Sequence, residues 1–217
     1  MNSLQWKRLF AVLLLQVGLM GVLVWWTPPE QVLGTSIRWV VLHVSFIWAG
    51  LLGLFVSALG GIGVGLHREM RGFTLLQVGA FFSLVFFGLG LLLSMAAAQA
   101  NWGGVFWQEP RMRVMLSMLF VTTLVQTLNA WLPWKRMRCW MHVVPALSLL
   151  LALALTPLVL HPRNPVQSAT SWRFHVVFFS SVVTCIASLC ALVWAVASSS
   201  SLQYVETSKT SSAQLPA

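Results

Sequence analysis

The chain has 217 residues, of which 58% are hydrophobic and only 8% are charged, and its mean hydropathy is +0.83. Soluble domains carry a charge on roughly a quarter of their residues, and a soluble protein of this size could not cover so much apolar surface. The net charge of +9 comes from 13 Lys and Arg against 4 Asp and Glu. The composition therefore predicts an integral membrane protein and excludes disordered, collagen-like, coiled-coil and disulfide-scaffold proteins.

The excess of basic residues is better explained by a membrane than by nucleic acid. The basic residues lie between the apolar segments, where they set the orientation of the chain and contact anionic lipids of the bilayer. No basic stretch carries a nucleic-acid-binding motif. We therefore expect the lipid bilayer as a partner and no nucleic acid.

Six segments are long and apolar enough to cross a bilayer as helices, because a spanning helix needs about 20 apolar residues. None of the six contains Asp, Glu, Lys or Arg, and the alternation typical of a membrane barrel is absent. The sequence thus predicts an all-α integral membrane protein with one six-helix transmembrane domain over residues 1–198. Residues 199–217 form a polar tail that we expect to be disordered and cytoplasmic. The predicted spans are residues 9–26, 39–66, 73–98, 114–132, 143–160 and 174–197.

The basic residues of the loops predict the orientation of the bundle. The loops of one side hold the larger share of Lys and Arg, including the cluster Lys135, Arg136 and Arg138. We place this side, with both termini, in the cytoplasm. The expected location is the inner (plasma) membrane, with the other loops on the periplasmic or outer face.

Residues with unusual chemistry gather on the loops of that outer face. Successive spans alternate in direction, so the residues beside the first, third and fifth connections share one face even if the orientation is inverted. Taken singly, each is unremarkable, since Trp and His are common at membrane interfaces and Arg often ends a helix at the lipid surface. Together they favour a metal or haem site, because polar groups in membrane proteins tend to mark sites. The aromatic and imidazole candidates are His43, Trp102, Trp107, His161 and His175.

The chemistry of a haem group matches this set of side chains. Haem iron takes one or two imidazole ligands, the porphyrin needs flat apolar contacts, and the propionates need cationic partners. Two histidines on different helices could reach the iron from opposite faces, and the segment holding Trp102, Phe106 and Trp107 could form a platform. No C-x-x-C-H motif is present, so such a haem would not be attached covalently. The cationic partners on this face are Arg38, Arg111 and Arg113.

Three segments resemble the haem-handling (WWD-loop, CcmC/CcsA-like) proteins of cytochrome c maturation. Residues 38–44, which read Arg-Trp-Val-Val-Leu-His-Val, together with Trp48 resemble the second helix of that family. Residues 102–111 occupy the position of its outer-face loop, W-G-x-x-W-x-W-D-x-R. His161, followed by Pro162, resembles its second outer-face histidine. The order and the spacing are similar from Arg38 to His161, and the predicted six-helix layout of the whole chain also matches.

The loop departs from the family pattern at three positions. Phe106 stands where the family usually has Trp, Gln108 stands at another Trp position, and Glu109 replaces the Asp. The signature is therefore degenerate, which is typical of a divergent branch or of a protein that serves a different haem acceptor. The loop positions that match are Trp102, Gly103 and Arg111.

The resemblance implies that the protein binds haem b transiently at the outer face and transfers it to a haem chaperone or to apocytochrome c. It also implies partnership with other membrane proteins of cytochrome c maturation. His43 and His161 would be the axial ligands of the haem iron, and His175 is a rival for the second position. The implied haem platform comprises Trp102, Gly103, Phe106 and Trp107. The residues implied to meet a propionate or to brace the loop are Arg111, Arg38, Arg113 and Glu109.

Two other classes of function stay open at this point. A b-type cytochrome subunit in quinone-linked electron transfer often carries two histidines on each haem-binding helix, and no predicted span here holds two. The other class is a structural or transport subunit. Ion-coupled transport usually needs ionisable groups inside the membrane or broken helices, whereas helix-to-helix hydrogen bonds explain the polar mid-span residues Gln77, Gln126 and Asn129. We expect a binding and delivery protein without catalytic residues rather than an enzyme.

Overall fold

The computed structural model describes residues 3–66, 72–156 and 171–213, with side chains described from Trp6 to Ser198. Apart from short connections and one isolated two-residue bridge between Glu30 and Gly34, the described residues are helical. This confirms the predicted all-α class. The helices in chain order are α1 (Ser3–Trp26), α2 (Ile37–Leu66), α3 (Phe73–Trp102), α4 (Pro110–Trp131), α5 (Lys135–Met141), α6 (Val143–Leu155) and α7 (Trp172–Ala213).

Five helices of the described residues are long and apolar enough to cross a membrane, which indicates a multi-pass membrane protein. The predicted span over residues 143–160 is described only as far as residue 156, where it forms α6. The number of six spans and the cytoplasmic placement of both termini therefore stay predictions. The five spans are Trp6–Trp26, Ile37–Leu66, Phe73–Trp102, Pro110–Trp131 and Trp172–Ser198.

Close contact between glycines and bulky residues holds α2 against α3. A Cβ added to Gly50 would lie 2.5 Å from the backbone nitrogen of Phe87, and one added to Gly90 would lie 2.7 Å from that of Ile47. Only glycine lets two helix backbones approach this far. Since Gly50 follows Ile47 while Phe87 precedes Gly90, the two helices run antiparallel.

The N-terminal halves of α2 and α7 share one apolar cluster. Ile37 and Val41 of α2 pack with Phe174 and Val177 of α7, and all four are buried. Both helices therefore begin at the same end of the bundle. The end of α3 and the start of α4 lie there as well, because α3 is antiparallel to α2 and connects to α4 through residues 103–109. We call this the loop end of the bundle.

Adjacent phenylalanines of α3 separate the two halves of the core. Phe86 packs with Met20 of α1 and Leu189 of α7, whereas Phe87 packs with Met118 of α4 and Leu149 of α6. Consecutive helical side chains point about 100° apart, so one helix can serve both clusters. The helices α1 and α7 thus cover one side of the α2–α3 pair, and α4 and α6 cover the other.

Candidate functional site

His43 lies in the second turn of α2 at the loop end, and its ring is half-buried. Its Nδ1 donates a hydrogen bond to the backbone oxygen of Trp39, 3.0 Å away. A carbonyl oxygen can only accept, so Nδ1 carries the proton. In the neutral ring the lone pair is then on Nε2, which is the tautomer that binds a metal through Nε2.

His175 has the same local arrangement in the first turn of α7. Its Nδ1 donates to the backbone oxygen of Ser171 at 3.1 Å, and its ring meets the ring of Phe174 edge-on with centroids 6.0 Å apart. The helical spacing of four residues produces both hydrogen bonds, since a side chain leans back over the preceding turn. The structure thus gives His43 and His175 the same tautomer at the same end of the bundle.

The connection from α3 to α4 is a tight loop closed by its own hydrogen bonds. Gly103 ends α3 with a φ of 73°, a left-handed conformation that glycine adopts without strain. The side chain of Gln99 donates to the Gly103 oxygen at 3.1 Å, and the Glu109 nitrogen donates to the Phe106 oxygen at 3.1 Å. Pro110 then opens α4 at a position where no backbone donor is required.

Aromatic rings of this loop face outwards. Trp102 is 39% exposed, Phe106 is 52% exposed and Trp107 is 57% exposed. Trp102 and Phe106 meet edge-to-face with ring centroids 6.2 Å apart, a favourable arrangement for aromatic pairs. The loop end of the bundle therefore presents a cluster of exposed aromatic surface, which we call the aromatic loop (residues 102–107).

The charged candidates of the site differ in their surroundings. Arg111 and Arg113 are exposed in the first turn of α4, directly after the aromatic loop, and Glu109 is buried at 6% exposure. Arg38 instead faces α1, where its Nη2 donates to the backbone oxygen of Trp25 at 3.1 Å. Of the predicted propionate partners, Arg111 and Arg113 thus adjoin the aromatic loop, whereas Arg38 adjoins the end of α1.

The packing brings most of the predicted site residues to the loop end. Of the two predicted axial ligands, His43 is described there, while His161 lies outside the described residues and its role stays a prediction. His175, the rival ligand, is described at the same end. Among the residues that the structure describes, no group of three His, Cys, Asp or Glu is arranged to hold a metal ion. A haem iron takes at most two ligands from the protein and does not need such a group.

Sequence reasoning assigned no role to Arg173, which the packing places against the aromatic end of α1. Its guanidinium carbon lies 4.7 Å from the ring centroid of Trp26, within the range of a cation–π contact. The two residues are far apart along the chain, and no spacing rule connects them. The sequence showed only an Arg at the start of one helix and a Trp at the end of another, and neither feature predicts that the two residues are in contact.

A buried polar cluster occupies the opposite end of the bundle. The Gln77 Nε2 lies 2.8 Å from the Nε2 of His142, and the Asn129 Nδ2 lies 3.2 Å from the same atom. The Arg138 Nη2 donates to the Gln77 Oε1 at 3.4 Å, which orients the Gln77 amide so that its nitrogen donates to His142. The cluster thus joins α3 and α4 to the residue between α5 and α6, as expected for helix-to-helix hydrogen bonds.

These contacts keep His142 neutral. Two amide groups donate to its Nε2, so that atom cannot carry a proton without losing both hydrogen bonds. Burial first, and the positive charge of Arg138 second, lower the pKa of His142 to about 4. The ring is only 3% exposed, so we assign it a structural role.

No protein-family model matches the chain, and no curated protein has a significant match to it.

Proposed function

We propose that the protein binds haem b at the loop end of its helix bundle and presents it for transfer during cytochrome c assembly. The observation that carries the proposal is the grouping of His43, His175 and the exposed aromatic loop at one end of the bundle. This grouping provides imidazole ligands and flat apolar surface together, which are the two requirements of a haem site. The resemblance to the haem-handling family points to the same use.

The hydrogen bond from His43 to the backbone supports its role as an axial ligand. A ligating histidine almost always donates its other ring N–H to a carbonyl or carboxylate, which fixes the ring and raises the basicity of the ligating nitrogen. His43 meets this condition through Trp39. We assign His161 as the second ligand on its match to the family position, with His175 as its rival.

The aromatic loop supports the binding of the porphyrin. Its three rings are exposed, so a porphyrin can bury part of their apolar surface. Since Trp102 and Phe106 meet at 66°, the porphyrin would lie against the face of one of these rings and the edge of the other. Phe106 offers a flat face where the family has Trp, so the substitution keeps the kind of contact while reducing its area. Gly103 shapes the turn of the loop, and the buried Glu109 would brace it.

Arg111 and Arg113 are the propionate partners that the geometry favours. Both are exposed in the first turn of α4, where a guanidinium can form a two-pronged contact with a carboxylate. Arg38 ranks behind them because one of its amino groups already donates to Trp25.

An exposed site suits delivery better than storage. A partner can reach a haem held against an exposed loop, whereas a haem enclosed by helices would have to wait for the bundle to open. We propose a haem chaperone or apocytochrome c as the acceptor, at the outer face of the inner membrane, beside other cytochrome c maturation proteins. No residue of the site needs to make or break a covalent bond.

An absorption spectrum tests this function. The protein purified in mild detergent from haem-replete cells should show the Soret and visible bands of a six-coordinate b-type haem. The alternative function, electron transfer with quinone, predicts that an added quinol is oxidised over many turnovers, whereas a haem handler should not turn over. A colourless protein that stays colourless after haem is added would remove the proposal.

A further inference from the structure

Two consecutive tryptophans end α1, and an arginine from a different helix covers each of them. The guanidinium carbon of Arg38, in the first turn of α2, lies 5.5 Å from the ring centroid of Trp25. That of Arg173, in the first turn of α7, lies 4.7 Å from the ring centroid of Trp26. These four residues form what we call the arginine–tryptophan clamp.

Much of the hydrogen-bonding capacity of the clamp is unused by the protein. A guanidinium has five N–H donors, and Arg38 gives one of them to the Trp25 oxygen. The Nε atoms of Arg38 and Arg173 are both buried, and neither has a hydrogen-bond partner among the described residues. Buried donors of this kind cost free energy unless a partner reaches them.

Neither Arg38 nor Arg173 forms a salt bridge with an acidic side chain of the described residues. The carboxylate nearest to it along the chain is that of Glu30, whose Oε2 accepts the backbone N–H groups of Val32 and Leu33. The positive dipole ends of α2 and α7 meet the negative dipole end of α1 at the clamp, so the three helices together leave a small positive charge there. The two guanidinium groups therefore keep a net positive charge at the clamp, which an anion from the surroundings can meet.

The surroundings of the clamp indicate where that anion comes from. Trp25 is 78% exposed at the end of an apolar helix, and Trp172, beside Arg173, is 72% exposed. Exposed tryptophans at the end of a spanning helix mark the depth of the lipid headgroups. One turn before the clamp, α1 also exposes Val22. Acyl chains can therefore lie along α1, on the side of the clamp that faces the middle of the bilayer.

We propose that Arg38 and Arg173, held over Trp25 and Trp26, bind the phosphate groups of phospholipid molecules at the loop end of the bundle. Phosphate oxygens would accept N–H groups of the guanidinium amino nitrogens, since the Nε atoms are buried, and the tryptophan rings would hold the guanidinium planes in position. The clamp lies where α1 meets α2 and α7, whereas the aromatic loop leads into α4, which packs mainly against α3 and α6. The lipid site therefore lies apart from the aromatic loop, but on the same helices as His43 and His175, so the experiment must follow lipid and haem separately.

Native mass spectrometry of the full chain in detergent tests the proposal. Delipidated protein is titrated with dioleoyl phosphatidylglycerol, and in a parallel arm with dioleoylglycerol, which has the same tails and no phosphate. The double variant R38Q/R173Q removes both charges of the clamp. The matched control K7Q/R8Q removes two exposed charges from the N-terminal end of α1, whose C-terminal end carries the two tryptophans of the clamp.

Wild type and K7Q/R8Q should retain phosphatidylglycerol equally, and R38Q/R173Q should bind it at least about tenfold more weakly, since hydrogen bonds to charged groups are involved. Dioleoylglycerol should bind weakly to all three. Equal binding by R38Q/R173Q and wild type, or equal binding of the two lipids, would overturn the proposal.

Two further experiments complete the test. A lysine variant separates the charge of the clamp from the planar geometry of its guanidinium groups, and a competition with inorganic phosphate separates binding of lipid from binding of free phosphate. The variant R38K/R173K keeps the charge but loses the planar fork, so it should bind phosphatidylglycerol better than R38Q/R173Q; a folded R38K/R173K protein that binds no better would overturn the role of the charge. Millimolar inorganic phosphate should displace little lipid, and full displacement would identify free phosphate as the ligand instead. If R38Q/R173Q loses haem while keeping lipid, the clamp holds propionates and the lipid proposal is wrong.

Discussion

Gly50 of α2 contacts Phe87 of α3 so closely that a Cβ on the glycine would lie 2.5 Å from the phenylalanine nitrogen and 2.7 Å from its Cα. The atoms in the way belong to the backbone and cannot rotate aside. This contact holds together the two helices that carry His43 and Trp102. The position of the candidate site thus depends on a glycine that lies well inside the bundle.

The first prediction follows from that contact. Gly50→Ala should lower the free energy of unfolding by about 1–3 kcal/mol, because overpacking forces the two helices apart. The same change at Gly63, where an added Cβ meets nothing within 4 Å, is the matched control. Gly63→Ala should be neutral or stabilising by up to about 1 kcal/mol, since Ala favours a helix. Thermal unfolding in detergent measures both, and equal melting temperatures for the two variants would contradict the packing.

The second prediction concerns the axial ligands. His43→Ala and His161→Ala should each abolish the six-coordinate haem spectrum, because each would remove one ligand of the iron. His175→Ala should keep it. His67→Ala, which changes a histidine on the predicted cytoplasmic side, is the control and should match wild type. A spectrum that survives in His161→Ala but is lost in His175→Ala would make His175 the second ligand.

The third prediction concerns the aromatic loop. Trp102→Ala should weaken haem binding by about two- to tenfold, corresponding to about 0.5–1.5 kcal/mol for a lost aromatic contact. Trp102→Phe should retain most of the affinity, since a flat ring remains. Trp131→Ala removes an 84% exposed tryptophan from the opposite end of the bundle and should change nothing. Haem titration followed by absorbance provides the three affinities, and equal losses in the Trp102 and Trp131 alanine variants would argue against the platform.

The fourth prediction concerns the pH dependence of stability at the other end of the bundle. Burial holds the pKa of His142 at about 4 in the folded protein, against an ordinary value of 6.5. Between these two pH values the unfolded chain binds a proton that the folded chain does not, so stability rises with pH across this window. The contribution is fully present above pH 6.5 and is lost as the pH falls towards 4. Its full size is about 3 kcal/mol.

The His142→Gln variant tests this pH dependence. Glutamine cannot titrate, so the unfolding free energy of wild type minus that of the variant should rise with pH between about 4 and 6.5 and stay constant outside this window. Chemical unfolding in detergent at pH 5 and pH 7.5 measures the difference at two points. A difference that is the same at both values would show that His142 titrates normally in the folded state.

The helical spans could be predicted from the sequence because the bilayer offers the backbone no hydrogen-bond partners. A run of some 20 apolar residues in lipid must satisfy its own N–H and C=O groups, and it can do so only as a helix. This constraint acts on each segment separately, so α1 to α4 and α7 could be predicted without knowing their neighbours. The alternation of direction also predicted that His43, Trp102 and His175 share one end, which is where the packing places them.

The local hydrogen bonds of the candidate site could be predicted only in part. His43 donates to a residue four positions earlier in its own helix, a spacing that helical geometry makes available to many side chains. The sequence shows that the partner is within reach, but a histidine can also turn away towards solvent or a neighbouring helix. Which ring nitrogen of His43 carries the proton could therefore be assigned only from the structure.

Contacts between helices required the tertiary structure throughout. Gln77 donates to His142 across a separation of 65 positions, and Arg173 covers Trp26 from the other end of the chain. Neither pair leaves a periodic signal, because helix-to-helix contact depends on the rotation and register of two helices together. In lipid, apolar side chains gain little by choosing one apolar neighbour over another, so hydropathy cannot specify that register. Small residues such as Gly50 and Gly90 and the few polar side chains decide it, through contacts that exist only once the helices have met.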